Sequence, residues 1–471
     1  MALIESSLFL THIKVDQPHE SGQLDRDINM EDTTMESIVD VGDNSGETFN
    51  AYVDSLIYFW EKVNNAKVEA TEMKDAIQDE EFVLVTEVNQ AMESLGQDED
   101  GGTVLSSLEL GSTQSIDVFF VLINSIIVFL LQGGFAFLEA GLVRSKNTTN
   151  IIIKNVCDTM MGAISFWAIG YMFARSGGTS FIGIDYRYRY ILTFTLSLIF
   201  SRYICLWGVD QMQYIYWFWM FVFCATASTI VSGALAERCQ LGAYIIYSLV
   251  TSTIIFPIVA HWVWSEEGWL KKQGFIDYAG AGVVHMLGGT IGLVGSFVVG
   301  PRIGRFTKTG DVINIPGHSI ALSALGFFII IFSFFSFNAG SNGSISTDQD
   351  LIFVQNSIVN TIIGAATSGL TTLTIFKVFR TKKWSLLMMM NGTMTGMVAS
   401  AAFCNRANPF MTFLVGLLTS VVFTLIKMAL LRLKIDDPLD VVPVHFGGGS
   451  VGILSVPFVL GKQIKTQIFT N

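Results

Sequence analysis

An uncharged segment of 24 residues between Asp277 and Arg302 is the feature that most constrains this chain. At about 1.5 Å per residue, a helix of this length crosses the hydrocarbon core of a bilayer. Glycine is frequent within residues 280–295; it would weaken a soluble helix, but in a membrane it lets helices approach closely. His285 also lies in this segment. Because a titratable side chain is costly at membrane depth, it indicates a functional site, with a hydrogen-bonded histidine in a helix interface as the alternative.

A second segment, residues 440–458, repeats this pattern near the end of the chain. Asp440 precedes His445 by five residues and a run of glycines follows, whereas Asp277 precedes His285 by eight residues. Two apolar, glycine-rich segments with one histidine each predict two imidazoles that face each other across a pore. Neutral imidazoles each offer one donor and one acceptor, so the pair could pass a small polar molecule or relay a proton. A purely structural hydrogen-bonded pair is the alternative.

The composition places the chain among multi-span membrane proteins. It is 51% hydrophobic and only 14% charged over 471 residues, which is too apolar for a soluble protein of this size. Residues 1–110 carry a net charge of −20, and the rest carries +8. We therefore predict an acidic, largely disordered or accessory region over 1–113, an all-α membrane domain over 114–460 and a short tail over 461–471. The five cysteines have no paired spacing and predict neither a disulfide framework nor a metal site.

Ten membrane spans are predicted from the apolar segments. They are Asp117–Leu142, Ile151–Phe173, Tyr214–Leu235, Ala243–Trp264, Tyr278–Val299, Ile320–Phe337, Leu351–Phe376, Trp384–Phe403, Phe410–Leu430 and Val442–Leu460. Basic residues follow spans one, five, seven and nine, so the positive-inside rule puts these loops in the cytoplasm and both termini outside. An extra crossing at residues 190–207 would split the basic loops between two sides. This apolar run is therefore predicted to lie outside, as a loop or a surface helix.

Aromatic residues supply further candidate pore groups. Phe223 and Phe337 each lie in a run of aromatic residues, and each could form a gate or could simply face lipid or the core. Trp264 ends the fourth span, where it could belong to an interfacial aromatic belt or form a cation–π site at a vestibule. Ser341 follows Phe337 by four residues and could place a hydroxyl beside it.

Polar residues at the ends of spans have simpler interpretations. Asp277 stands at the start of the fifth span, where a carboxylate can cap the helix and also favour cations in a vestibule. Asp440 has the same two interpretations. His261 and His318 lie at segment ends, where a hydrated interfacial histidine is expected.

Seven ordered motifs carry a resemblance to a known family. They are QGGFAFLEAGLVRSKN (132–147), SGALAER (232–238), HWVW (261–264), IDYAGAGVVHMLGG (276–289), GPRIGRF (300–306), FNAGS (337–341) and DVVPVHFGGGSVG (440–452). In these motifs the chain resembles the ammonium transporter, methylammonium permease and Rhesus glycoprotein family, and especially its ammonium transporter branch in animals and plants. The resemblance extends over residues 117–458.

The resemblance implies a fold and a mechanism. It implies eleven helices in two inverted five-helix halves, of which ten spans are predicted here without the eleventh, and a plasma-membrane homotrimer with one pore per subunit. The substrate is ammonium or ammonia, with methylammonium a further candidate; no metal, cofactor or nucleic-acid partner is implied. Ammonium would be recruited outside and deprotonated, and ammonia would then pass the gate and the histidines, with or without the proton.

The resemblance also implies roles for individual residues. The twin pore histidines are His285 and His445, the stacked gate is Phe223 and Phe337, the recruitment site is Trp264, Ser341 and Trp219, and Asp277 supports deprotonation, with Asp440 as its counterpart. An ammonium sensor or a non-conducting trimer partner is the competing hypothesis. An intramembrane enzyme is disfavoured, because no nucleophile or set of metal ligands accompanies the histidines.

Overall fold

The computed structural model describes residues 101–184 and 214–461, with side chains from residue 113 onward. Within these ranges every regular element is a helix. The acidic N-terminal region up to residue 100, the apolar run 190–207 and the tail beyond residue 461 lie outside the described residues. The predictions made for them therefore remain predictions.

Ten main helices follow one another along the described chain. They are α1 (Gly101–Leu142), α2 (Thr148–Ser165, continued by Phe166–Gly170 and Tyr171–Arg175), α3 (Tyr214–Ala234), α4 (Leu241–Val250, Thr251–Ile255 and Phe256–Trp264), α5 (Ala281–Met286 and Leu287–Val299), α6 (Ile320–Gly340), α7 (Asp348–Ile375 and Phe376–Arg380), α8 (Leu386–Ser400), α9 (Pro409–Arg432) and α10 (Val442–Gly447 and Gly448–Val459). A 3₁₀ turn, Ser145–Asn147, precedes α2, and a short helix, Trp269–Lys272, follows α4.

Nine of the helical segments in the described part of the chain are long and apolar enough to cross a membrane. The remaining one, α8, has only 15 residues, and most of its residues are buried. It corresponds to the predicted span Trp384–Phe403 and packs between α7 and α9. The predicted all-α, multi-span architecture is thus confirmed, and each predicted span coincides with one of these helices.

The bundle is apolar both inside and outside. Phe297, Val298, Leu454 and Phe458 are 70–79% exposed although they are large and hydrophobic. An exposed apolar surface of this kind would be unfavourable in water but is what lipid tails require. The core contains Phe166, Phe223, Phe256, Phe334 and Phe337, all less than 2% exposed.

Glycine brings α5 and α10 into direct backbone contact, as the density of this residue predicted. A Cβ on Gly289 would lie 2.3 Å from the backbone nitrogen of Phe446, and a Cβ on Gly449 would lie 2.4 Å from the carbonyl oxygen of Ala281. Neither position can accept a side chain without moving backbone. The two helices that carry the histidines therefore pack with their backbones close together.

A network of ion pairs ties together the ends of α1, α3, α5 and α9. Arg302 bonds Asp436 through its side chain (2.7 and 3.1 Å) and through its backbone nitrogen (3.0 Å), and it also reaches Glu237 at 3.0 Å. Glu237 in turn pairs with Arg144 at 3.0 Å. These residues follow the predicted spans one, three, five and nine, so the structure brings together the ends that the charge pattern had assigned to one side.

Arg302→Gln is expected to lower the free energy of unfolding by about 3 kcal/mol, because Asp436 and Glu237 would remain buried with fewer partners. The melting temperature in detergent measures this loss. Lys272→Ala is the control, since its pair with Glu267 is exposed to solvent and should contribute little to stability. Equal melting temperatures for Arg302→Gln and the wild type would contradict the assignment.

Acid should weaken the same network. Burial alone would raise the pKa of Glu237, but hydrogen bonds from Arg144, Asn147 and Arg302 outweigh burial and lower the pKa to about 2. A carboxyl whose pKa is lower in the folded state stabilises the protein above its unfolded pKa, near 4.5. This contribution is lost as the pH falls from about 4.5 towards 2.

Candidate functional site

The two histidines lie on matching π-helical turns. His285 lies in Ala281–Met286 at the start of α5, and His445 lies in Val442–Gly447 at the start of α10. A π-turn widens the helix locally and is often found at functional sites, because it turns a side chain away from the regular helical direction. Both histidines are buried, with 0% and 5% of their surface exposed.

The structure brings the two imidazoles into contact, as the repeated sequence pattern predicted. Nδ1 of His285 and Nδ1 of His445 are 3.2 Å apart, which is a hydrogen-bond distance. The ring centroids are 5.3 Å apart, and Phe334 stacks on His285 at the same distance. Nε2 of His285 is buried and has no hydrogen-bond partner among the described residues. The pair therefore leaves one polar nitrogen free inside an apolar environment.

Phe223 and Phe337 form a stacked pair beside the histidines. Their ring centroids are 4.1 Å apart with an interplanar angle of 24°, and both side chains are fully buried. Phe337 also lies 5.4 Å from the His285 ring. Neither phenylalanine faces lipid, so the alternative of a lipid-facing stripe is wrong for these two residues.

Two tryptophans and a serine lie on the other side of the phenylalanine pair. The rings of Trp219 and Trp264 are 4.8 and 5.8 Å from that of Phe223. Nε1 of Trp264 donates to the carbonyl oxygen of Asp277 at 2.8 Å, which fixes the indole ring. The hydroxyl of Ser341 donates to the carbonyl of Phe337 at 2.7 Å, so its oxygen remains free to accept. The two predicted vestibule tryptophans thus lie in space beside the predicted gate.

Asp277 caps the first turn of α5. Its two carboxylate oxygens accept hydrogen bonds from the backbone nitrogens of Gly280 (3.1 Å), Gly282 (2.8 Å) and Val283 (2.9 Å). Gly280 has φ of 90°, a left-handed conformation that favours glycine. Burial raises the pKa of the Asp277 carboxyl to about 6, against the opposing effect of these backbone hydrogen bonds. The capping interpretation is therefore correct, and the carboxylate accepts only from backbone nitrogens.

The interpretation of Asp440 as a cap is wrong. Its carboxylate accepts from Asn391 at 2.8 Å and pairs with Lys427. The helix start is capped instead by Asp437, whose Oδ2 accepts from the backbone nitrogen of Val442 at 2.7 Å. Asp440 itself occupies a left-handed turn with φ of 59°.

Asp437 is the structural counterpart of Asp277. Each precedes its histidine by eight residues, and a residue with left-handed φ follows each of them by three positions, at Gly280 and Asp440. The spacing of eight would have identified Asp437 from the sequence. Asp440, a second aspartate that stands closer to His445, was interpreted as the cap.

The two other histidines among the described residues, His261 and His318, have different surroundings. His261 is fully buried, and its ring nitrogens face the carbonyls of Thr179 (2.9 Å) and Ala174 (3.3 Å), so the prediction of a hydrated interfacial residue is wrong for it. His318 is exposed, as predicted, and its Nδ1 lies 3.0 Å from the carbonyl of Val143.

The sequence reasoning missed a polar network inside the bundle. Glu139 on α1 accepts from Asn155 (2.7 Å) and Ser232 (2.5 Å), and Asp158 on α2 accepts from Ser228 (2.7 Å) and Thr229 (2.8 Å). The signal was a carboxylate inside each of two predicted spans, which is unusual at membrane depth.

The described residues hold no group of three or more histidine, cysteine or acidic side chains placed to bind a metal ion. What they form is a line of aromatic rings that leads from Trp219 and Trp264, past Phe223 and Phe337, to the paired imidazoles. Apolar surroundings of this kind oppose a bare ion, because nothing replaces its hydration. It suits a small neutral molecule that can hydrogen-bond to imidazole nitrogen.

Comparisons with a family model and with individual relatives point to the same family. The sequence model described as "Ammonium Transporter Family" matches residues 118–470. A Caenorhabditis elegans relative is 41% identical over 361 residues, which are 74% of this chain and 65% of the relative. "Ammonium transporter 3" of Dictyostelium discoideum is 37% identical, covering 75% of this chain and 78% of that protein.

Solved structures agree with these sequence matches. A protein titled "Sensor Amt Protein" superimposes with a TM-score of 0.66 at 32% identity, over 74% of this chain and 84% of that one. Saccharomyces cerevisiae Mep2 superimposes with a TM-score of 0.62 at 25% identity, over 72% of each chain.

Proposed function

Because the chain belongs to the Ammonium Transporter Family, we propose that it conducts ammonia along the line from Trp264, past Phe223 and Phe337, to His285 and His445. The observation that carries the proposal is the contact between the two imidazoles, which leaves Nε2 of His285 without a protein partner. An unpaired nitrogen in an apolar site costs free energy that a small hydrogen-bonding molecule recovers. Ammonia has both a lone pair and N–H donors, so it can bond to either imidazole tautomer.

The outer part of the proposed path binds ammonium ion. Trp264 and Trp219 offer aromatic faces, which attract cations, and Ser341 offers an oxygen with a free lone pair. The stacked phenylalanines then form a gate that a hydrated cation does not pass. Ammonium must therefore lose a proton before it passes the gate, and the proton either follows separately or stays outside.

Asp277 supports this step by positioning. Its oxygens bond only to backbone nitrogens, and its carbonyl fixes Trp264, so its role is to hold the vestibule and the first turn of α5. Asp437 has the same role for α10. Asp440 supports the pore indirectly, through Asn391 and Lys427.

Assembly and orientation extend the proposal. The matching Asp277–His285 and Asp437–His445 segments support two halves of related structure and opposite orientation. We place the chain in the plasma membrane as a homotrimer, with the network around Arg302 in the cytoplasm and the N-terminus outside. The printed names of the relatives favour a transporter over an enzyme.

A sensor is the second candidate, favoured by the match to the protein titled "Sensor Amt Protein" at 32% identity. A sensor would bind ammonium at the vestibule with little flux. The same residues would then report occupancy and would not conduct.

Uptake of labelled ammonium and ammonium-dependent current in an expressing cell separate the two candidates. We expect saturable uptake by the wild-type chain, reduced to the level of control cells by His285→Ala at equal surface abundance. Binding of ammonium without uptake, by protein shown to be at the cell surface, would overturn conduction in favour of sensing. Uptake that His285→Ala leaves unchanged would remove the histidines from the path.

A further inference from the structure

Glu139 has a buried carboxyl group, and one of its two oxygens has no hydrogen-bond partner among the described residues. It is 2% exposed and lies on α1, within a helix long and apolar enough to span the membrane. Both of its hydrogen bonds, from Asn155 and Ser232, go to Oε2. No donor among the described side chains and backbone groups reaches Oε1. A carboxylate is costly to bury, so an oxygen without a protein donor indicates a ligand that the site accepts.

A small cavity lies between Glu139 and His445. It has a volume of about 20 Å³ and is otherwise lined by apolar side chains, among them Phe135, Ile230 and Val444. A volume of this size holds one molecule as small as water or ammonia. The cavity adjoins His445, so it is the next space along the path after the imidazole pair.

We propose that Glu139 is a substrate-binding residue at this cavity, where it returns a proton to ammonia that has passed His445. The inference rests on the proposed function, since it needs ammonia to arrive from the histidines. Aromatic rings and imidazoles form the part of the path between the phenylalanine pair and His445, so a cation first becomes stable again beside this carboxylate.

The chemical step is a single proton transfer. The O–H bond of the protonated Glu139 carboxyl breaks, an N–H bond forms at the ammonia lone pair, and the products are ammonium and carboxylate. Ammonium then leaves towards the end of the pore that carries the Arg302 network. The carboxylate regains a proton from hydronium in the aqueous phase at that end, so the cycle closes without any other reactant.

Asp158 provides a matched control. It is also buried, at 1% exposed, and it also accepts hydrogen bonds from two side chains of α3, Ser228 and Thr229. It does not line the cavity. A charge-removing substitution there tests the cost of altering a buried carboxylate, without touching the proposed substrate position.

The test measures labelled ammonium flux in proteoliposomes of assigned orientation, with substrate supplied from the Trp264 end or from the Glu139 end. Glu139→Gln keeps the shape and the acceptor for Asn155 and Ser232 but loses the proton-transfer group. We expect the half-saturating ammonium concentration at the Glu139 end to rise about 10- to 100-fold, as for a lost charge-assisted hydrogen bond. The value at the Trp264 end should change less than about twofold.

Two further variants decide the outcome if Glu139→Gln is poorly folded. Glu139→Asp keeps the charge but withdraws it from the cavity, and it should show the same one-sided loss in a milder form. Asp158→Asn should leave both half-saturating concentrations unchanged. Two results would overturn the role of Glu139, provided that the wild type transports. One is an equal rise of the half-saturating concentration at both ends in the Glu139 variants, and the other is no rise at either end. Absence of flux in the wild type would instead overturn the proposed function.

Discussion

Asp277→Ala is expected to lower the free energy of unfolding by about 3 kcal/mol or more and to abolish ammonium uptake. The substitution leaves the backbone nitrogens of Gly280, Gly282 and Val283 buried without an acceptor, at about 1–3 kcal/mol each. The turn that holds His285 would then lose its fixed geometry, and so would Trp264, which bonds the carbonyl of the same residue. Thermal unfolding in detergent and uptake in cells measure the two effects.

Two other variants serve as a partial-loss comparison and a surface control for this result. Asp277→Asn keeps one acceptor oxygen and should lose about half of the stability that alanine loses. Asp311→Ala removes an exposed aspartate that accepts from Thr307 and Thr309, and it should change the free energy of unfolding by less than about 0.5 kcal/mol. If Asp277→Ala unfolded at the wild-type temperature, the capping role would be wrong. If it were stable but inactive, Asp277 would contact the substrate directly.

Replacing either pore histidine by phenylalanine is expected to lower ammonium flux by about 10- to 100-fold at equal protein abundance. Phenylalanine at position 285 keeps the stacking on Phe334, and phenylalanine at position 445 keeps the contact with Phe135. Both substitutions remove the ring nitrogens, so ammonia crosses the same space without a hydrogen-bond partner. Phe334→Leu is the matched control, because it alters packing against His285 but leaves both imidazoles. Its flux should stay within about threefold of the wild type.

The double variant tests whether the imidazoles act as a unit. Since Nδ1 of one bonds Nδ1 of the other, removal of either breaks the same contact. We therefore expect His285→Phe with His445→Phe to lose little more flux than each single variant, which is strong non-additivity in a double-mutant cycle. Losses that multiply would indicate two independent sites.

Much of this arrangement could be predicted from the sequence. The uncharged segment after Asp277 predicts a membrane span, and its glycines predict the close helix packing seen at Gly289. The second glycine-rich segment predicts the partner histidine. Each of these features lies within one continuous segment, so it can be recognised without knowledge of the tertiary contacts. The alternation of basic loops likewise placed Arg144 and Arg302 at one end, where Glu237 joins them.

What could not be predicted depends on contacts between distant segments. The sequence analysis considers only Asp440 as a cap, whereas in the folded chain it is the Asp437 carboxylate that reaches the backbone nitrogen of Val442. Glu139 lies in a conspicuous motif, but its cavity is made by α1, α3, α8 and α10 together. His261 was misassigned because its partners come from the loop near Thr179, 82 residues away.

Flux of labelled ammonium into liposomes that contain the purified chain tests the central claim most directly. Protein-free liposomes of the same lipid set the background, and the variant with both His285→Phe and His445→Phe sets the contribution of the imidazoles. The account predicts saturable flux above background for the wild type, and flux close to background for the variant at equal reconstitution. Wild-type flux equal to background, from folded protein that still binds ammonium, would contradict conduction through this pore.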